Sequence, residues 1–226
     1  MTLTIFSELE QGSDEWVAAR CGVLTASQIG KLITPTLKVA DNDTSRGLTE
    51  TLVAERITGR VDFVFPNADM QRSTWDKPYC RDVYSEHFAP VVEVGFMTNT
   101  FNGHILGFSP DGLVGDDGLI EAKSRRPKAQ INTILTNTVP RENMAQLQAG
   151  LLVSGREWID YLSYSGGLPL YRKRVLPDPQ WQDVILAALE KFEADAADMI
   201  ERYELATVGM PATEYIDHYA SEEMEF

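Results

Sequence analysis

The sequence predicts an α/β fold in which helices and strands alternate along one globular unit, residues 1–226. Three observations predict it. A chain of 226 residues with 43% hydrophobic content can bury one sizeable core, and its length favours one domain over two. Both ends of the chain carry apolar residues at helical spacing, bounded by capping residues, glycine or proline. Between Val91 and Lys123 the pattern switches to short β-prone runs broken by Gly, Asn and Asp, as in strands joined by tight turns.

Ser13 can cap a short helix running through Arg20, and the segment TASQIGKLI opens with Thr25 and Ser27, either of which can cap a second. The polar stretch 34–47 reads as a mobile loop. Residues 48–58 form a helix closed by Gly59, and another helix runs through RDVYSEHF and ends before Pro90. The strand candidates are 91–97, 104–108, 113–114 and 119–123. Residues 141–153 then read as an amphipathic helix, and EWIDYLSYS and LPLYRKRV as two more strands. Trp181, Ile185, Ala188, Phe192, Ala196, Met199 and Tyr203 recur at helical spacing and give a long last helix its buried face.

The net charge of −14 is uneven: residues 178–226 hold 13 Asp and Glu against 2 Lys and Arg, which leaves residues 1–177 at −3. Nucleic-acid binding normally leaves a basic footprint, and confining the acidity to a helical C-terminal segment, 178–226, keeps such a partner open. Cys21 and Cys80 are too few for a disulfide framework or a cysteine-held cluster, so a reducing cytoplasm is the expected setting. The opening MTLTIFSELEQGSDEW has neither the basic start nor the apolar run of a signal peptide, and no stretch is long and apolar enough to span a membrane. His87, His104 and His218 stand apart without zinc-ligand spacing. No G-x-S-x-G, G-x-x-x-x-G-K-[ST] or G-x-G-x-x-G motif supports a serine hydrolase, a nucleoside triphosphatase or a dinucleotide enzyme.

The segment SPDGLVGDDGLIEAKS, from Ser109 to Ser124, carries the chemistry. If Gly112 to Gly118 forms the bend of two antiparallel strands, Asp111 and Glu121 converge on one side of a sheet, and hard carboxylate oxygens so placed suit Mg²⁺ or Mn²⁺. Lys123, two positions beyond Glu121, shares its face of the strand. An ammonium there can orient or help deprotonate a water while the metal stabilises charge on a phosphate, which is the chemistry of phosphodiester hydrolysis. Each fragment alone reads as an ordinary turn, since DG and DDG are common in hairpins.

Other motifs give the segment its weight. SPDG followed by EAK resembles the core of PD-(D/E)xK nucleases, and Trp16, Arg20, Gly22, Thr25, Ala26 and Ser27 match the W-x3-R-x-G-x2-T-A-S opening of phage lambda exonuclease and the YqaJ-like recombinases. Met144 to Gln148 match that family's glutamine-bearing helix. The resemblance implies a three-layer α/β/α fold with a mixed central sheet flanked by helices. It implies an Mg²⁺-dependent exonuclease, with Mn²⁺ as a substitute, that resects the 5′ strand of linear duplex DNA and leaves a 3′ single strand. Asp111, Glu121 and the Ala122 carbonyl would hold the metal, Lys123 would be the catalytic lysine, Gln146 would place the water, and Arg20 and Ser27 would hold the terminal 5′-phosphate. A homotrimeric ring, a single-strand annealing partner and the cytoplasm of a bacterium hosting a phage or prophage are implied as well. Arg72, Lys77, Arg125, Arg126 and Lys128 are candidates for the ring's basic lining, whereas Arg172, Lys173 and Arg174 read as solvated surface.

One position departs from the resemblance. Pro78, Arg81 and Tyr84 fix the register of the family's G-x3-E-P-x-A-R-x2-Y segment, so Lys77 falls where a glutamate is expected. An ammonium there would repel or displace a divalent cation. This keeps open a second reading, a weakened nuclease that binds DNA ends and recruits the annealing partner. A sequence-specific endonuclease is a lesser alternative, disfavoured by the 5′-phosphate motif. Cys80, in the same segment, reads as a packed thiol.

Overall fold

The computed structural model describes residues 2–62 and 64–216. Among these residues the strands form two sheets. One is antiparallel, ordered β1 (Thr4–Phe6), β2 (Phe96–Phe101), β3 (His104–Phe108). The other is mixed, ordered β4 (Gly112–Val114), β5 (Gly118–Ser124), β6 (Trp158–Tyr164), β7 (Tyr171–Val175), and only β5 and β6 run parallel. A parallel pair needs a crossover. Here it consists of helices α5 (Pro127–Thr136) and α6 (Arg141–Ser154), so α6 is carried across the sheet beside β5.

Alternation along β5 sets the layers. Leu119 packs into the larger core with Ile159 and Tyr161, while Ile120 and Ala122 enter a second cluster with Leu162, Cys80 and Tyr84. Cys80 and Tyr84 belong to α4 (Ala68–His87), so α4 covers one face of the sheet. The other face is covered by α6 together with α3 (Asp43–Thr58) and α7 (Pro179–Ala206). Glu121 and Lys123 therefore share Leu119's face and point toward α6. Ile185, Ala188, Phe192 and Ala196 of α7 are buried, and each fully buried Ile or Phe contributes about 1.5–3 kcal/mol. α6 lies close on β3 because Gly150 has no side chain: a Cβ there would come within 2.7 Å of the Phe108 ring.

Capping explains where the helices differ from expectation. α3 begins inside the stretch read as a loop because Asn42 Oδ1 accepts from Ser45 N and Ser45 Oγ accepts from Asn42 N, both at 3.0 Å. Residues 34–40 form an ordered turn, closed by Thr34 N donating to Lys38 O and Ala40 N donating to Leu32 O. α4 begins well before Arg81, where Asn67 Oδ1 accepts from the backbone N–H of Asp69 and Met70, and it runs through Pro78. The run 91–97 serves both sheets: Val92 bridges Leu113 of β4, and β2 begins only at Phe96. β1 and α5 add elements that apolar spacing does not announce. α7 ends at Ala206, so the acidic C-terminal segment is helical only that far; 207–216 are non-helical, and 217–226, with His218, lie outside the described residues.

Candidate active site

Asp111 sits between β3 and β4, and its Oδ2 accepts from Ala122 N at 2.8 Å, which ties the turn to β5. Its Oδ1 lies 2.6 Å from Lys77 Nζ, reaching over from α4. On β5, Glu121 Oε1 accepts from Lys123 Nζ at 2.8 Å and from Gln146 Nε2 at 2.7 Å. Lys123 Nζ also donates to Gln146 Oε1 at 2.7 Å, which closes a triangle between β5 and α6. Asp111 and Glu121 are each only 3% exposed.

Burial raises the Glu121 pKa, and the attraction of Lys123 opposes it without cancelling it. Burial alone would lower the Lys77 pKa, but Asp111 and Glu121 outweigh it and hold the ammonium above its ordinary value. Glu121 Oε2 is buried without a hydrogen-bond partner in the protein, an oxygen left open for a ligand. That oxygen and the Asp111 carboxylate are hard donors of the kind a divalent cation takes. Among the described residues no group of three or more His, Cys, Asp or Glu side chains gathers to hold a metal, and Lys77 stands beside the carboxylates instead.

A cavity of about 250 Å³ is lined by Asp111, Glu121, Ala122, Lys123 and Gln146 together with Arg20 and Ser27. Arg20 ends α1 (Asp14–Arg20), with its guanidinium 3.9 Å over the Trp16 ring. Burial lowers the Arg20 pKa to about 10, against the pull of Glu55, so the side chain remains a cation at neutral pH. Trp16 Nε1 donates to Ser109 Oγ at 3.0 Å and Gly95 O at 3.1 Å, anchoring α1 beside Asp111. Thr25 is the cap of α2 (Ala26–Ile29), which leaves Ser27 inside the helix with its hydroxyl exposed to the cavity. Gly22, at φ +68°, makes the turn between α1 and α2; its N–H donates to Glu55 Oε2 at 2.7 Å and its carbonyl accepts from Arg56 Nε at 2.8 Å. Arg56 is fixed in turn by a two-point pair with Glu193 of α7.

Some residues of the site carry no motif signal. Gln11 lines the cavity and clamps the strand ends by donating to Val94 O and Pro110 O; Ser73 joins Lys77 on the wall supplied by α4. The basic candidates are largely committed within the chain: Arg72 and Arg126 pair with Asp69, and Arg125 donates to Asn143 Oδ1 and Tyr161 Oη. Arg172 and Arg174 are more than solvated surface, since both pair with Asp160, an aspartate of β6 with 0% exposure that also accepts from Tyr84 Oη at 2.8 Å. Cys80 is the packed thiol expected, and burial pushes its pKa up to about 12.

Comparison with known proteins bears on the arrangement. The profile of the YqaJ-like viral recombinase domain matches residues 15–157, more than half of the chain. The chain belongs to the YqaJ-like viral recombinase family. A solved structure similar to this YqaJ-like chain is an alkaline exonuclease from Laribacter hongkongensis, LHK-Exo, at 32% identity and a TM-score of 0.78, covering 88% of this chain and 100% of that one. The same enzyme in complex with dAMP matches at 31% identity and a TM-score of 0.77, with the same coverage. A phage-related exonuclease from Haemophilus somnus 129PT shares the fold at 13% identity and a TM-score of 0.54, covering 80% of this chain and 96% of that one. No curated protein matches the chain. The YqaJ-like chain thus has a nuclease fold, and no helix among its described residues is long and apolar enough to cross a membrane.

Proposed function

We propose that this chain is a single-domain, divalent-metal-dependent exonuclease that resects the 5′ strand of linear duplex DNA by phosphodiester hydrolysis and leaves a 3′ single strand for annealing. The observation that carries the reading is the shared cavity, in which the Asp111, Glu121, Lys123 and Gln146 cluster faces Arg20 and Ser27. Its likeness to LHK-Exo, an alkaline exonuclease also solved with dAMP, supports a nucleotide substrate.

Each residue has a role in the proposal. Mg²⁺, with Mn²⁺ as a substitute, would be held by the Asp111 and Glu121 carboxylates and the Ala122 carbonyl, and would supply charge stabilisation for the phosphate undergoing hydrolysis. Lys123, as an ammonium, orients the attacking water and by its charge eases the loss of that water's proton; Gln146 fixes Lys123 and Glu121 so that neither turns away. Arg20 offers a planar fork to the terminal 5′-phosphate, and Ser27 a hydroxyl in the first turn of α2, 3.1 Å from Thr25 Oγ1. Gripping that phosphate sets the polarity, because only a 5′ end can seat it. The partners would be a second and third copy of the chain in a ring and a single-strand annealing protein, and the setting a bacterial cytoplasm.

Linear duplexes with 5′-phosphate or 5′-hydroxyl ends and closed circles, incubated with Mg²⁺, test the reading. Loss of 5′ strands from phosphorylated linear DNA, with circles intact and Lys123→Ala inactive, is the expected result. Cutting of circles would overturn it. Binding of ends without any cutting would instead favour the end-binding recruiter, the reading that the Lys77–Asp111 pair keeps open.

A further inference from the structure

We propose that Lys77 is a resident cation of this site, its ammonium standing where a second divalent ion would have to sit, so that each chain binds one divalent cation and no more. The inference rests on the nuclease reading and specifies its metal requirement.

Charge is the first argument. Asp111 and Glu121 bring two negative charges to the cavity, Lys77 and Lys123 bring two positive ones, and Arg20 adds a further cation on the wall. The ammoniums are divided between the carboxylates, Lys77 on Asp111 at 2.6 Å and Lys123 on Glu121 at 2.8 Å. The carboxylates and ammoniums therefore balance before any ion enters. One divalent cation is tolerable, because Glu121 Oε2 is free to receive it and each Asp111 oxygen, with a single partner, has a lone pair to spare. A second would add two more positive charges beside two ammoniums, with carboxylates that are almost wholly removed from solvent.

Position is the second argument. Lys77 is not a surface lysine that happens to meet an aspartate: its side chain is 33% exposed, and it lines the cavity with Ser73, one helical turn earlier on α4. Lys77 reaches the cavity from α4 and Lys123 from β5, so two ammoniums carried by different elements each hold a different carboxylate of the same cavity. When a phosphodiester occupies the cavity, Lys77 presents to it the positive charge that a second ion would otherwise bring.

The test counts ions without DNA. Mn²⁺ is titrated into the intact wild-type protein, Lys77→Glu and Lys77→Met, with free Mn²⁺ followed by electron paramagnetic resonance and folding checked by circular dichroism. The expected result is one Mn²⁺ per wild-type chain, two per Lys77→Glu chain, and first-ion binding by Lys77→Met about tenfold tighter, because a repelling charge is gone. Two ions on the wild-type chain overturn the proposal, as does a first-ion affinity that Lys77→Met leaves unchanged. If Lys77→Glu does not fold, Lys77→Met and the wild-type count decide. Digestion of linear duplex in the same Mn²⁺ separates the failures: cutting with two bound ions sinks only this inference, whereas neither binding nor cutting sinks the nuclease reading as well.

Discussion

Gln146 and Lys123 are joined side chain to side chain, with Lys123 Nζ donating to Gln146 Oε1 at 2.7 Å while the other end of the same amide holds Glu121. One uncharged group on α6 thus fixes an ammonium and a carboxylate on β5. Lys123→Ala removes the group proposed to act on the water, and the expected loss is about 10³-fold or more in single-turnover digestion of linear duplex. Gln146→Ala leaves both charged groups present but unclamped, with an expected loss of about 10- to 100-fold. Equal losses in the two variants would assign Gln146 more than positioning.

Arg20 gives a second prediction. A charge-assisted pair contributes about 1.5–3 kcal/mol, so Arg20→Ala is expected to erase about a 10- to 100-fold preference for 5′-phosphorylated over 5′-hydroxyl ends. Rates on the hydroxyl ends should change little. Competition between the two ends in one digestion reads the ratio directly, and a preference that survives in Arg20→Ala would remove this residue from the phosphate site.

A third prediction concerns acid. Burial pushes the Asp160 pKa up, but hydrogen bonds from Arg174 and Tyr84 outweigh it and hold the group below the ordinary aspartate value of 3.8. The folded chain therefore keeps this group ionised to lower pH than the unfolded chain does. The stability it contributes is fully present above about pH 4 and drains away as pH falls through the folded value. Asp160→Asn should cost about 2–3 kcal/mol at pH 7, less than for a fully enclosed pair because both guanidiniums reach solvent, and should flatten the decline in acid. Urea unfolding between pH 7 and pH 3 measures both.

Gly22→Ala is the fourth. The residue has φ +68°, and a Cβ there would stand 2.5 Å from Arg56 Cγ, in a side chain already held by Gly22 O and Glu193. A cost of about 2 kcal/mol is expected, or a Tm lowered by about 4–8 °C. Arg20, two residues before, should lose its seat over Trp16, so end preference should fall along with stability.

Sequence and structure agree where one local pattern dominates. The apolar stripe of α7 is such a case, from Trp181 to Met199, although Tyr203 lies on a final turn that extends past the core and is exposed. Asp111, Glu121 and Lys123 were legible as a convergent set because one bend and one strand alternation suffice to relate them. α4 was legible only in its last part: Cys80 and Tyr84 are the residues it buries, too few to make a periodic stripe, and Pro78 argues against a helix by every local rule. The Lys77–Asp111 pair depends on how α4 lies across the sheet, which spacing along the chain does not encode. Asp160 did leave a trace, a lone carboxylate in the apolar run WIDYLSY paired in register with Arg174, but its partners came into view only with the sheet order.

Gly150 carries no functional group and lines no part of the cavity, yet it lies one turn along α6 from Gln146, where a hydrogen atom faces the Phe108 ring. A Cβ there, 2.7 Å from the Phe108 ring, forces the helix or the ring to shift, and a shifted helix takes the Gln146 amide with it. Selection on cleavage rate can therefore act on a position that a survey of polar side chains would pass over. A random library should find Gly150 nearly as intolerant as the lysine it helps to aim.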